Sequence, residues 1–139
     1  MDYRSFGTVL VMAVAMMVAS SCARIEQESR AIKLDRSVRL YADSIRWGNF
    51  DVAAGLLRRR DGGATSATVR VPAEVRVTSY GSSILSVNEE GNEAIVATSF
   101  DYYFPDTNKV RSISQTDLWW FDAGTEQWYM DGSLPDFRP

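Results

Sequence analysis

The sequence predicts an α+β fold, two N-terminal helices packed on a curved four-stranded antiparallel meander. Two observations carry this. Apolar residues recur at helical spacing between residues 31 and 57, and beyond residue 74 the period falls to two. A third fixes the strand order, because short turn-rich breaks separate the later strands and so make neighbours of consecutive ones.

The first helix is expected over Ala31–Trp47. Leu34, Val38, Tyr41, Ala42 and Ile45 form one apolar stripe, and Asp35, Arg36, Arg39, Asp43 and Arg46 take the opposite side. Asp35 and Arg39 stand four apart in the favourable order. Gly48 stops this helix and Asn49 can cap the next, where Phe50, Ala53, Ala54 and Leu57 make a second, shorter amphipathic helix. Arg58, Arg59 and Arg60 then complement its C-terminal dipole. The same triplet is a weak signal for anionic headgroups or an acidic partner.

After a flexible Gly/Ala/Thr/Ser segment (residues 62 to 68), Val75, Val77, Leu85 and Val87 are expected on one face of a long strand bulged near Gly81. With Glu90 and Gly91 as a tight turn, Val87 pairs with Ala94, Leu85 with Val96, Gly81 with Phe100 and Val77 with Phe104. The second strand runs over about residues 94–104, with Val96, Phe100, Tyr102 and Phe104 on the core side. PDTNK (105–109) turns into a third strand over Val110–Asp122. Gly124 and Thr125 turn into a fourth over Gln127–Asp131, setting Phe121 opposite Trp128 and Trp119 opposite Met130.

The N-terminus reads as a targeting segment. Arg4 precedes an uncharged apolar run from Val9 through Met17 to Ala19, too short to span a bilayer and the size of a secretory core region. Ala19, Ser20 and Ser21 then lead to Cys22, the single cysteine of the 139-residue chain. This boundary resembles the bacterial lipobox, departing from it at Ala19, where leucine or a β-branched residue is usual. The resemblance implies a signal peptide over residues 1–21 and acylation, palmitate included, of Cys22. A polar tether over 22–30 merging into the first helix and a domain over 31–139 complete the expected organisation. Several acyl chains on one residue anchor stably where one would be marginal. Ala23, where aspartate would retain a Gram-negative lipoprotein at the inner membrane, implies the outer membrane, periplasmic side.

The segment YADSIRWGNFDVAAGLL (41–57) and the aromatic meander after it resemble the NTF2-like (cystatin-like α+β) superfamily. There, helices pack into the concave side of a bent sheet. Trp120, Trp128, Tyr129 and the LPDF stretch (Leu134 to Phe137) resemble the terminal strand pair and tail of small proteobacterial lipoproteins. Such membership implies a fold and a pocket. It implies no activity, because the superfamily's functions range from isomerases to structural parts.

The chemistry is bounded by absences. No histidine occurs, which removes the Ser-His-Asp and Cys-His arrangements and the usual zinc ligands. Cys22 is committed to lipid. Gly62 and Gly63 lack the lysine of a phosphate loop, and a net charge of −3 gives no footprint for nucleic acid. Glu89, Glu90 and Glu93 lack calcium-loop spacing and read as a solvated turn. No metal or cofactor is expected. Isomerase-type chemistry would need a carboxylate and a phenol in an apolar pocket, with Asp101 or Asp117 as the acid and Tyr80 or Tyr102 beside it. The plainer reading sets both acids in solvent or against Arg111 or another strand neighbour.

Both parities of the third strand are apolar: Leu118 and Trp120 on one, Ile113, Trp119 and Phe121 on the other. A half-buried sheet needs one. Something is therefore expected to cover the second face: residues 62 to 73, the LPDF tail, a dimer mate or an envelope protein. Trp119, Trp120, Phe121, Trp128, Tyr129 and Tyr103 are the candidate binding surface. The expected function is a membrane-anchored, non-catalytic protein-binding or assembly module. The alternatives are a small-molecule binding module and a metal-free lyase or isomerase.

Overall fold

The structure is a computed structural model that describes residues 3–63 and 71–139, with side chains from Arg24 onward. The Cys22 side chain, and most of the 62–68 segment, lie outside what it describes. Its elements are α1 (Tyr3–Arg46), α2 (Phe50–Gly55), β1 (Arg76–Val87), β2 (Glu93–Tyr103), β3 (Arg111–Asp122) and β4 (Gln127–Asp131). The strands form one antiparallel sheet in the order β1-β2-β3-β4, so the fold is α+β with two helices and an open meander.

The stripe read from the sequence is the buried face of α1: Leu34, Val38, Tyr41, Ala42 and Ile45 are all core. The stretch expected as a tether is helical too. Gln27 donates to the Glu89 carbonyl (3.0 Å) and Arg30 to that of Glu90 (3.4 Å), pinning this part of α1 to the β1–β2 turn. Among the described residues no helix is long and apolar enough to cross a membrane.

Gly48 ends the helical run at φ +76°, a backbone angle that L side chains rarely adopt. Asn49 precedes α2 without a side-chain cap. Its carbonyl does the work instead, accepting from the amides of Val52 and Ala53. α2 stops at Gly55, earlier than expected, because the next residues join the sheet. The Leu56 carbonyl accepts from the Met130 amide (2.8 Å), and the Arg58 amide donates to the Met130 carbonyl (3.0 Å). Leu57 thereby makes a parallel bridge to Met130 along the outer edge of β4. The three arginines lie beyond the helix, so the dipole role expected for them does not apply.

The inner face of the sheet follows β2, where Ala94, Val96, Thr98, Phe100, Tyr102 and Phe104 alternate inward. The β3–β4 register is as expected, Phe121 opposite Trp128 and Trp119 opposite Met130. β1 departs from expectation. Val87 pairs with Ala94, but Ile84 pairs with Val96, Tyr80 with Phe100 and Val77 with Tyr102. Bulges at Leu85 and Thr78, with none at Gly81, each slip the register by one residue. The first takes Leu85 off the face it was expected to share with Val77 and Val87, and Leu85 is 59% exposed. The β1–β2 turn is also wider than two residues. Asn88 closes it, donating its amide to the Glu93 carbonyl and accepting at Oδ1 from the amides of Asn92 and Glu93.

The C-terminal tail completes the core from the helix side. Phe137 packs edge-on to Phe100 and Tyr102 (centroids 6.1 and 4.8 Å), and Leu134 is buried. The tail therefore covers the inner face, not the second face suggested for it.

Candidate functional site

The six aromatic candidates do not form one surface. Trp119 and Trp128 are 1% exposed and belong to the core. Their strand parity faces α1, where the Trp119 and Tyr41 rings meet edge-on (6.0 Å, 81°). Trp128 Nε1 donates to the Arg30 carbonyl (3.0 Å), which satisfies the one polar atom of a buried indole. Phe121 shares that face, half-buried, with the cations of Arg30 and Lys33 at 5.0 and 5.8 Å from its centroid. None of these three offers a docking surface on the outer side of the sheet.

Trp120 and Tyr129 project to the other face and are paired across the β3–β4 ladder, ring centroids 5.7 Å apart. The cover expected there comes from the segment after α2. The Arg58 guanidinium lies over the Tyr129 ring at 3.9 Å, within cation–π range. The Arg58 carbonyl accepts from Trp120 Nε1 (2.9 Å), and its side chain bridges to Asp122 (3.1 Å). Asp122 is held below the ordinary carboxylate range first by the Gly124 amide, then by Thr125 and Arg58. Tyr129 is thus buried under a fixed arginine, while Trp120 and Leu118 stay half-exposed beside it. Arg60 pairs with Glu93, and its amide donates to Asp131 (3.3 Å). Tyr103 is half-buried on this outer face, at the far end of β2.

The two acidic candidates differ sharply. Asp101 sits on the outer face and accepts from Ser79 (2.7 Å) and Ser112 (2.6 Å), which lower its pKa. It is a strand-neighbour contact, though with serines and not Arg111. Asp117 faces inward, and burial raises its carboxyl above the usual range. Gln115 Nε2 donates to Asp117 (2.6 Å) and also lies 3.2 Å from the Tyr41 hydroxyl and 3.3 Å from the Ser133 carbonyl. Burial, with Asp117 as the second cause, pushes the Tyr41 phenol well above its ordinary value. Asp117 and Gly132 leave no room for each other's growth: a Cβ at Gly132 would fall 2.5 Å from an Asp117 oxygen.

A carboxylate and a phenol are therefore linked, through Gln115, but the phenol is Tyr41. Tyr80 is spent on Asp43 (2.9 Å) and Tyr102 on the Arg138 carbonyl (3.0 Å). Tyr41 was hidden in the sequence as one member of an apolar stripe, where nothing separates a core tyrosine from a functional one. Tyr41 has no exposed surface and Gln115 and Asp117 are half-buried, so the trio is a hydrogen-bonded polar cluster at the margin of the core.

The described hollows lie elsewhere. One of about 280 Å³ lies between α1 and the β4 edge, lined by Lys33, Ser37, Leu40, Leu56, Gln127 and Trp128 among others. Ligand sites usually exceed about 300 Å³. A wider, open one of about 530 Å³ is lined by Pro72, Glu74, Phe104, Pro105, Asp106 and Pro139. Among the described residues no group of three or more metal-ligating side chains comes together.

The chain matches no family model, no curated protein and no solved structure. The surface on the outer face is Arg58, Trp120 and Leu118 around a buried Tyr129. Sequence reasoning missed Arg58, which it had assigned to the helix end.

Proposed function

We propose that this chain is an envelope lipoprotein, acylated at Cys22, whose domain is a non-catalytic protein-binding or assembly module of NTF2-like architecture. The anchor is supported by the uncharged run, the small residues and the single cysteine in sequence. Helices lying on one face of an antiparallel sheet are in keeping with that architecture. Ala23 favours the periplasmic side of the outer membrane.

The observation that carries the binding role is the outer-face cluster of Arg58, Trp120 and Tyr129. Arg, Trp and Tyr dominate the energetics of protein interfaces because they combine area with directional polar contacts. Here the arginine is already oriented by Asp122 and Tyr129, so a partner meets a preorganised group and loses little side-chain entropy on docking. A partner presenting a carboxylate beside an apolar patch would fit Arg58 and Trp120 together.

Two measurements test this reading. Metabolic labelling with a palmitate analogue should mark the full chain and be lost in Cys22→Ala; label surviving in that variant ends the anchoring claim. Cross-linking in intact envelopes should capture a partner with the native chain, at least about tenfold less with Trp120→Ala, about the loss expected from an interface residue worth over 1 kcal/mol. Equal capture by Trp120→Ala would remove the outer-face cluster as the binding surface. Trp119→Ala does not serve, because Trp119 is core.

A further inference from the structure

The two edges of the sheet are treated differently. The β4 edge is covered by residues 56–58, which bond to Met130 on both its amide and its carbonyl. The β1 edge has no backbone partner among the described residues. It is twelve residues long, exposed throughout Gly81–Val87, and carries Ile84, Leu85 and Val87, 41%, 59% and 49% exposed. Proteins usually guard such an edge with lysine, proline or inward charge, and Val77–Val87 contains no proline and no charged residue. The two bulges are its only irregularities, and they leave Ser79–Ile84 as an unbroken run between them.

We propose that the β1 edge pairs with the β1 edge of a second copy of this chain, antiparallel about a two-fold axis near Ser82, joining two four-stranded sheets into one. The inference rests on the assembly-module reading and adds to it a second surface, at the opposite edge of the sheet.

Three features favour a second copy as the occupant. An antiparallel edge is self-complementary under a two-fold axis. With the axis at Ser82, each Tyr80 lies across from the partner's Ile84 on the inner face, apolar against apolar. On the outer face Gly81 lies across from the partner's Ser83, small against small, so the strands can close without a clash. Second, the strand ends are complementary in charge. Arg76 opens β1 and the Glu89–Glu90 turn follows it. Antiparallel pairing carries each Arg76 to the partner's turn. Third, chains tethered to one membrane meet at a raised effective concentration, which favours an association built mainly from backbone hydrogen bonds.

The test uses the full chain in bacterial envelopes. Ser82→Cys sits on the proposed axis, so mild oxidation should shift it from the monomer band to one of twice that mass on a non-reducing gel. The parent chain, whose one cysteine is the acylated Cys22, sets the background. Thr116→Cys, exposed on β3, should stay at that background. Ile84→Lys and Leu85→Lys, both at exposed positions, should each abolish the Ser82→Cys dimer, because a lysine on an open edge opposes strand pairing and Ile84→Lys also replaces the apolar contact with the partner's Tyr80. A monomeric Ser82→Cys chain, or a dimer untouched by both lysines, overturns the proposal. Palmitate labelling and partner capture on the same cells keep the outcomes apart: label and capture without a Ser82→Cys dimer sink edge pairing and leave the broader reading standing.

Discussion

At one end of the sheet, β4 and the adjoining half of β3 bury Trp119, Trp128, Tyr129 and Met130, with α1 across the inner face and residues 56–58 along the edge. At the other end, β1 is exposed from Gly81 to Val87 although it holds three large aliphatic residues there. Both strands are antiparallel and carry large apolar residues. What separates them is coverage. Trp119 and Trp128 at the β4 end pack under α1, and Trp128 hydrogen-bonds to its carbonyl at Arg30, while β1 reaches α1 through Tyr80, bonded to Asp43, and its four serines have little apolar surface to bury. Burial in this sheet is decided by what can be packed above a strand, more than by the strand's own pattern.

The contrast can be broken most directly at the covered end. Trp119→Ala should cost about 3–5 kcal/mol, the range for emptying a packed aromatic site, measured by urea unfolding; a loss under about 1 kcal/mol would mean that the core does not depend on this ring. Trp128→Phe keeps an aromatic ring but removes the second hydrogen bond of the Arg30 carbonyl, which keeps its helical partner, and should cost about 0.5–1.5 kcal/mol for that bond. The inner polar cluster gives a pH signature. Burial raises the Asp117 pKa in the fold, so its contribution to stability is greatest when protonated and is lost as pH rises through that value. Asp117→Asn should therefore melt higher than the native chain at neutral pH, with the gap closing below about pH 4, where the acid is protonated in both states. A gap constant with pH would assign the effect to packing. At the open end, Leu85→Ser should change stability by no more than about 0.5 kcal/mol, unless dimerisation is measured with it.

The sequence made the covered end legible and the open end illegible, for a physical reason. The α1 stripe, the β2 alternation and the β3–β4 register each repeat over enough residues to exclude a shifted alternative. In β1, single-residue bulges at Thr78 and Leu85 carry no residue-type signature, and one slip moves every later side chain to the other face. The expected pairings from Leu85 to Val77 failed for that cause, while Val87 with Ala94, on the turn side of both bulges, held. Among candidate site residues, Trp119 and Trp128 looked like surface aromatics because both parities of β3 are apolar. The neighbouring indoles of β3 in fact divide between the faces, Trp119 inside with Trp128 and Trp120 outside. Arg58 was missed because a strand-like bridge at Leu57, directly after a six-residue helix, has no periodicity to read.

That bridge sets an order of events. Each hairpin of the meander closes over a short turn, whereas the pairing of residues 56–58 with Met130 closes a loop through most of the domain and meets a larger entropic barrier. The edge should be the last part of the sheet to form and the first to loosen. Amide exchange reads this directly: the Arg58 and Met130 protons should exchange together and ahead of the β2–β3 ladder, as one cooperative unit. Because Arg58 leaves with that unit, the outer-face cluster comes apart whenever the edge opens. The domain's binding surface would then share a clock with its folding, present while the last rung is latched and lost when it is not.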